Sequence, residues 1–384
     1  METVKGFNDY TGQEALKRRK IAEIIENAFR LYGFQPAETP VIEYEEFVKS
    51  GNSGDEAISD IFKLQDKGKR NLALRYEFTF QLKRIAQNQK LPFRRYQIGS
   101  VFRDEPTSAN RFRQFTQCDA DIVGSSLKDD AEILALTAQI LNELKIDAVI
   151  NVNNRKLLNE IMDKEKINER NKEIVMREID KLDKLSEQEV RNNLKKYKAE
   201  KLLGLFKKPE SFFKKYPAFA EIEELKNSCR MYGVKINFQP SLVRGLSYYN
   251  GTVFEAKTSD MKESILGGGA YTINGIQATG VSFGMERLSQ LAKLKVENEN
   301  VLIISIGEDK NALNLGQKLR KNNIACSVMF GKISKALEFA NSYSLPYVIF
   351  LGKEEMKKKK FKLRDMKTGK EKLIAENQLI KELI

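Results

Sequence analysis

The sequence predicts a chain in three parts: an α+β body, a helical insertion within it, and an α/β domain at the C-terminal end. Three observations carry this. Apolar and polar residues alternate on both arms of a charged hairpin, residues 95–123. Residues 151–235 turn Lys/Glu/Asn-rich and helical in pattern. From Val301 onward, strand-like and helix-like stretches take turns. The divisions are therefore 1–150 with 236–296, then 151–235, then 297–384.

The elements follow in order. Leu16, Ile21, Ile24, Ile25, Ala28, Phe29 and Tyr32 recur at helical spacing and predict a helix over 13–32, stopped at Gly33. Pro36 and Pro40 bracket an extended stretch. Asn71–Arg75 and Arg95–Phe102 read as strands, and the loop Asp104–Asn110 leads to a second arm, Phe112–Val123. Lys128–Leu144 reads as a helix. Pro209 and Pro217 break the helical insertion. A β pattern resumes over Ser241–Thr258, then Gly267-Gly268-Gly269, a strand Gly280–Phe283 and a helix Met285–Leu294. The last domain alternates Val301–Ile306, Asn311–Asn322, Ala325–Phe330, Ser334–Ser342 and Tyr347–Leu351. It closes on a hairpin, Phe361–Ile374, turning at Thr368-Gly369.

Composition excludes whole reaction classes. None of the 384 residues is histidine. That removes Ser-His-Asp and Cys-His nucleophiles and any imidazole-bound metal. Chemistry must run on carboxylates, Arg, Lys, hydroxyls and backbone. Cys118, Cys229 and Cys326 are odd in number and far apart, as free thiols in a reducing compartment would be. No apolar run reaches the roughly 20 residues that cross a bilayer. Met1–Tyr10 has no apolar signal core, so a cytoplasmic protein is expected. The net charge of +13 is uneven: residues 301–384 carry +8, residues 151–240 carry +6, and the rest is nearly neutral. A neutral body with two basic attachments suits small-molecule chemistry beside a polyanion; solvated lysine faces are the alternative.

Three segments of the neutral body stand out. The first runs from Phe102-Arg103-Asp104-Glu105 across the loop to Arg111-Phe112-Arg113-Gln114-Phe115. Arginines on both arms of a hairpin can grip one anion, since the guanidinium fork matches phosphate; surface ion pairing is the plainer reading. The second is Leu242–Gly251, with Arg244, Tyr248 and Tyr249. Core packing of its tyrosines is the plain alternative. The third is Gly280–Leu288, where a strand enters a helix through Gly284 and sets Arg287 on the first turn.

Together, in this order, these segments resemble class II aminoacyl-tRNA synthetases, and specifically the histidyl-tRNA synthetase family. Phe102–Phe115 is similar to motif 2, Gly280–Leu288 to motif 3, and Gly33–Pro40 to motif 1, the dimer-forming segment. Leu242–Glu255 is similar to the histidyl family's own signature. Gln117-Cys118-Asp119-Ala120-Asp121 resembles the archaeal and eukaryotic form, and Lys5–Asp9 the family's opening segment. The resemblance covers essentially the whole chain.

The resemblance implies a mixed, mainly antiparallel sheet holding ATP and L-histidine, with a helical insertion and an α/β anticodon-binding domain. It implies ligation of histidine to tRNA(His) through a histidyl-adenylate, by a homodimer. Arg103 and Arg287 match the α-phosphate arginines, Arg111 the γ-phosphate arginine, and Glu105 and Phe115 the adenine contacts. Arg244 matches the family's special catalytic arginine, standing where a metal might otherwise stand. No metal held by the protein is expected, though Mg2+ should accompany ATP. Glu77, Phe78 and Thr79 match the segment that holds the substrate's α-amino group, and Gln117 lines the same pocket, which Arg103 and Arg244 also border. Asp121 and Tyr249 match the imidazole contacts, with Tyr248 and Tyr271 beside them.

The sequence departs from the family at Tyr76, Ser247, Ala270 and Thr272. The insertion would touch the acceptor stem, and Lys357–Lys360 would lie along tRNA phosphates or form a solvated loop. Two other readings compete. One is an inactive paralogue that binds histidine and regulates its biosynthesis. The other is a tRNA-binding protein without activity.

Overall fold

The computed structural model describes residues 1–50, 60–244, 248–296 and 300–383. They fall into two compact units, Met1–Asp9 with Arg18–Leu294, and Tyr10–Lys17 with Lys295–Ile384.

The chain opens with helix α1 (Gly12–Leu31), strands β1 (Gln35–Pro36) and β2 (Ile42–Tyr44), helix α2 (Glu45–Ser50), strands β3 (Lys63–Gln65) and β4 (Asn71–Leu74), and helix α3 (Thr79–Ile85). The hairpin β5 (Phe93–Phe102) and β6 (Gln114–Val123) follows, then α4 (Leu127–Glu143) and β7 (Val149–Asn154). Helices α5 (Arg155–Lys164), α6 (Glu169–Asp180), α7 (Glu187–Lys195), α8 (Leu202–Leu205) and α9 (Phe219–Met231) form the insertion. Then come β8 (Asn237–Phe238), β9 (Tyr249–Thr258), β10 (Met261–Ile273), β11 (Ile276–Gly284) and α10 (Met285–Leu291).

An eight-stranded sheet dominates the first unit, in the order β1-β5-β6-β11-β10-β9-β7-β8. Its interior pairings are antiparallel and only the two edges, β1 on β5 and β7 on β8, are parallel. This is the mixed, mainly antiparallel sheet the resemblance implies. One face packs on α1, α4, α9 and α10. Ile21, Ile25, Ala28 and Phe29 of α1 are buried, one stripe of a 3.6-residue period. Gly33, at φ +77, ends that helix, and Phe34 N–H donates back to the Phe29 carbonyl at 3.0 Å. The predicted strands of the hairpin start slightly off: β5 begins at Phe93 and β6 at Gln114.

The insertion has its own apolar core, including Leu157, Ile161, Met176, Val190 and Phe219. Phe238 of β8 stacks edge-on against Phe213 and Phe219, 5.2 and 5.3 Å between ring centres, and so seals this core against the sheet. β7 still belongs to the sheet, so the helices start at Arg155. The expected β pattern over Ser241–Thr258 becomes strand only at Tyr249. Before it, the Pro240 and Leu242 carbonyls accept from Asn153 Nδ2 at 3.0 and 2.8 Å, outside any ladder.

The second unit holds β12 (Val301–Ile306), α11 (Asp309–Lys321), β13 (Cys326–Phe330), α12 (Ile333–Ser342), β14 (Tyr347–Gly352), α13 (Lys353–Lys358), β15 (Phe361–Asp365), β16 (Glu371–Ile374) and α14 (Glu376–Leu383). Its sheet runs β13-β12-β14-β15-β16, parallel through the first three strands and antiparallel at the hairpin. The alternation from Val301 predicts this α/β build. Lys357 and Lys358 end a helix rather than sit in a loop, because Glu355 accepts from Gly352 N–H at 3.1 Å and starts α13. Lys359 then turns left-handed, φ +51.

Candidate active site

Side chains on a strand alternate between faces. Cys118, Ala120 and Ile122 of β6 enter the core, so Gln117, Asp119 and Asp121 line the other face. In register, Asp121 stands opposite Arg95, Asp119 opposite Gln97 and Gln117 opposite Gly99. On the other side β11 sets Gly280 against Asp121 and Ser282 against Asp119. Gly280 is required there: a Cβ would fall 2.1 Å from Asp121 Oδ1. The result is a buried polar floor.

Four arginines gather at one end of it. Arg103 follows β5, and its N–H donates to the Arg113 carbonyl at 2.8 Å. Arg103 Nε donates to the Tyr76 carbonyl at 3.2 Å, and its guanidinium stacks 5.0 Å from the Phe115 ring centre. Arg111 pairs with Glu105 across the hairpin loop. Arg287, on the first turn of α10, donates from Nη1 to the Ser264 carbonyl at 2.6 Å. Arg244 sits at φ +65, an unusual backbone for a non-glycine residue. Its Nη1 is 3.3 Å from Glu255 Oε2.

Electrostatics show that these cations converge. Burial holds Arg287 below its ordinary value; Glu263 opposes this, while repulsion from Arg244, Arg111 and Arg103 adds to it. Burial also pulls on Arg244, but Tyr249, Glu255 and Asp180 outweigh it and leave that residue above its ordinary value. Positive groups gathered this closely, with repulsion among them, suit a polyphosphate.

A wall of tyrosines closes the other end. The Tyr248 ring lies 4.8 Å from Tyr249 and 5.3 Å from Tyr271. The Tyr271 hydroxyl donates to Asp121 Oδ1. Tyr248 bonds the Thr79 side chain and Tyr249 bonds Tyr248. Burial raises all three phenols, Tyr249 to about 12, so they stay neutral. Glu77 and Phe78, just before α3, are buried, and the charge of Glu77 reaches Tyr248 and Tyr249. Gln117 Nε2 donates to Ser282 Oγ at 2.6 Å. Tyr271 is thus joined to Asp121 by its hydroxyl.

The departures have local explanations. Tyr76 is fully buried and stacks on Phe80 at 5.5 Å, while its carbonyl orients Arg103. Thr272 accepts from Asn250 Nδ2 at 2.6 Å, and Ala270 is buried. Ser247 lies outside the described residues.

Sequence reasoning missed several supports. Glu255 also accepts from Ser264 Oγ and pairs with Lys257 Nζ at 3.1 Å, so it touches one catalytic candidate and the β10 residue that holds another. Glu286 accepts from Thr116 N–H at 3.1 Å and pairs with Arg18 at 2.9 Å, tying α10 to β6. Gly6, at φ +85, accepts from Arg113 and Gln114 N–H at 3.0 and 3.1 Å and caps the hairpin. Arg95 and Asp119 were also missed, though the alternation Gln117, Asp119, Asp121 was visible. Two open clefts of about 340 and 400 Å3 share none of these residues.

Comparison with known proteins gives the family. A histidyl-tRNA synthetase profile matches residues 6–288 and an anticodon binding domain profile matches 300–384. Histidine–tRNA ligase 1 of Bacillus cereus is 35% identical over 97% of this chain and 94% of its own length. The histidine–tRNA ligase of Thermococcus kodakarensis is 32% identical over 100% and 98%. The crystal structure of histidyl-tRNA synthetase from Nostoc superposes with a TM-score of 0.86 at 25% identity, covering 100% of this chain and 98% of that one. A Bacillus halodurans protein described as an ATP phosphoribosyltransferase regulatory subunit/histidyl-tRNA synthetase shares the fold, with a TM-score of 0.76 at 20% identity over 91% and 97%. Profile and relatives span the polar floor, the arginines and the tyrosine wall alike, and the chain belongs to the histidyl-tRNA synthetase family.

Proposed function

We propose that this chain ligates L-histidine to tRNA(His) at the cost of ATP, with Arg103, Arg244 and Arg287 as its catalytic residues. The convergence of those arginines with Arg111 beside a buried polar pocket is the observation that carries the reading. Histidine's carboxylate attacks the α-phosphorus. A carboxylate–phosphorus bond forms, the bridge to the β-phosphate breaks, and pyrophosphate leaves. The nucleophile is already ionised, so no base is needed, which suits a chain without histidine. Charge on the α-phosphate oxygens is met by Arg103, Arg244 and Arg287, fixed in advance by Tyr76, Glu255 and Ser264. Arg111 holds the γ-phosphate; Glu105 and Phe115 take the adenine.

The amino acid lies over the polar floor. Glu77 and Thr79 hold its α-amino group, with Phe78 and Gln117 beside them. Asp121 and Tyr249 face the imidazole, with Tyr248 and Tyr271 adjoining. Satisfied groups of this kind discriminate strongly, since an analogue without partners leaves them buried and unpaired. A tRNA hydroxyl then attacks the adenylate carbonyl and AMP leaves.

Mg2+ enters with ATP as part of the substrate. Among the described residues no group of three metal-ligating side chains stands ready. The core is 1–150 with 236–296, its sheet running on through β7 to Asn154. The insertion, 151–235, meets the acceptor stem, and 297–384 reads the anticodon. The protein works in the cytoplasm as a homodimer. Exposed Val41, Ile42 and Tyr44, next to the Gly33–Pro40 segment, support the dimer. No helix among the described residues is long and apolar enough to cross a membrane. The regulatory paralogue is not favoured: Arg244 and the C-terminal domain are both present. Histidine-dependent exchange of pyrophosphate into ATP, followed by histidylation of tRNA, is the test. Exchange with glycine, proline or threonine instead would overturn it.

A further inference from the structure

Arg95 is a full charge in the floor of the site, only 1% exposed. Its Nη2 stands 2.7 Å from Asp121 Oδ2, and the two residues are direct cross-strand partners on β5 and β6. Asp119, two residues away on the same face, is equally buried, and its register partner is the neutral Gln97. Arg95 is thus the fully buried cation beside two buried carboxyls, ion-paired to Asp121. An isolated ion is costly to bury, and a buried pair that loses one partner costs more than the pair was worth. Burial pushes both carboxyls up, Asp119 to about 7, and in both cases Arg95 is the strongest opposing influence.

Asp121 is surrounded by few other charges. β5 contributes Arg95, β6 Asp119, β10 the Tyr271 hydroxyl and β9 Tyr249; β11 contributes only Gly280. Arg103 reaches Asp119. An ionised carboxylate accepts an imidazole N–H more strongly than a neutral carboxyl does, and a protonated carboxyl also presents a competing donor.

We propose that Arg95 is a positioning residue that determines specificity: by pairing with Asp121 it fixes that carboxylate as the acceptor for the substrate's imidazole N–H. This rests on the histidine pocket proposed above. Arg95 does not touch the substrate. It sets the charge and direction of a group that does.

The test is exchange kinetics on the full-length protein. Arg95→Met should raise the KM for histidine about 30-fold or more while kcat stays within about threefold. That variant removes the fully buried cation beside two carboxyls and risks misfolding. Arg95→Met/Asp119→Asn removes one charge of each sign and should melt as a folded protein. Its KM should fall as pH is raised and Asp121 ionises, more steeply than the wild-type KM does. Arg95→Lys should recover part of the affinity. In an Asp121→Asn background, Arg95→Met should add little further. A folded double variant with the wild-type KM and pH profile would overturn the role, as would effects of Arg95→Met and Asp121→Asn that simply multiply. Failure of the wild type to exchange with histidine at all would instead sink the pocket reading itself.

Discussion

Arg244 lies flat against Gly267. A Cβ at that glycine would fall 2.3 Å from the Arg244 Cζ. Gly267 also pairs with Glu255 on one side and Ser282 on the other, so the strand cannot yield. The absence of a side chain is what lets the guanidinium settle over the sheet. Gly267→Ala should therefore displace Arg244 and cut exchange kcat by about 10²–10³-fold, the usual loss for one preorganised contact. Steady-state exchange on a variant with a normal melting curve measures this.

The proposed function sets Arg244 against the reacting phosphate rather than the imidazole. Arg244→Ala should lose adenylation far more than histidine affinity. Calorimetric titration with histidine, set against exchange rates, separates the two. Equal losses would count against the catalytic role.

Glu255 is the hub behind Arg244. It also bonds Ser264, whose carbonyl holds Arg287, and it pairs with Lys257. Glu255→Gln keeps the shape but weakens the charge, and should lower exchange kcat about tenfold. Lys257 continues to Asp183 of the insertion at 2.6 Å. Asp183 is half exposed and such pairs are weak, so Asp183→Asn should leave exchange within about twofold.

Asp130, on the first turn of α4, is buried, and burial above all pushes its carboxyl up to about 7. The folded state thus holds this proton more tightly than the unfolded chain, whose carboxyl titrates near 3.9. Its contribution to stability is full below about pH 4 and is lost as pH rises through about 7. Asp130→Asn should therefore gain on the wild type at pH 8 relative to pH 5. Urea unfolding at the two pH values checks the sign.

The Lys357–Lys360 run ends α13 with its charges exposed. If it follows tRNA phosphates, replacing all four with Ala should raise the KM for tRNA and flatten its salt dependence, with exchange unchanged. Charging assays across a salt series read both quantities.

The alternation from Val301 and the apolar stripe of α1 were legible because period 2 and period 3.6 are local properties. So was the arginine set, since residue type and spacing alone bring Arg103 and Arg111 onto one hairpin. The short helices α2, α3, α13 and α14 were not legible, because a few residues carry too little periodicity. The strand expected at Ser241 failed because Asn153, distant in sequence, takes its carbonyls.

Sequence alone thus determined the chemistry on offer: no imidazole, four arginines, a row of polar side chains on one strand face, and the family they resemble. Only the tertiary structure decided which of these meet. Register set Arg95 opposite Asp121, brought Tyr271 to that carboxylate, and laid Arg244 over Gly267. Such pairings depend on strands joined across long loops. Their partners are chosen by burial and by the cost of an unpaired charge, which no local pattern records.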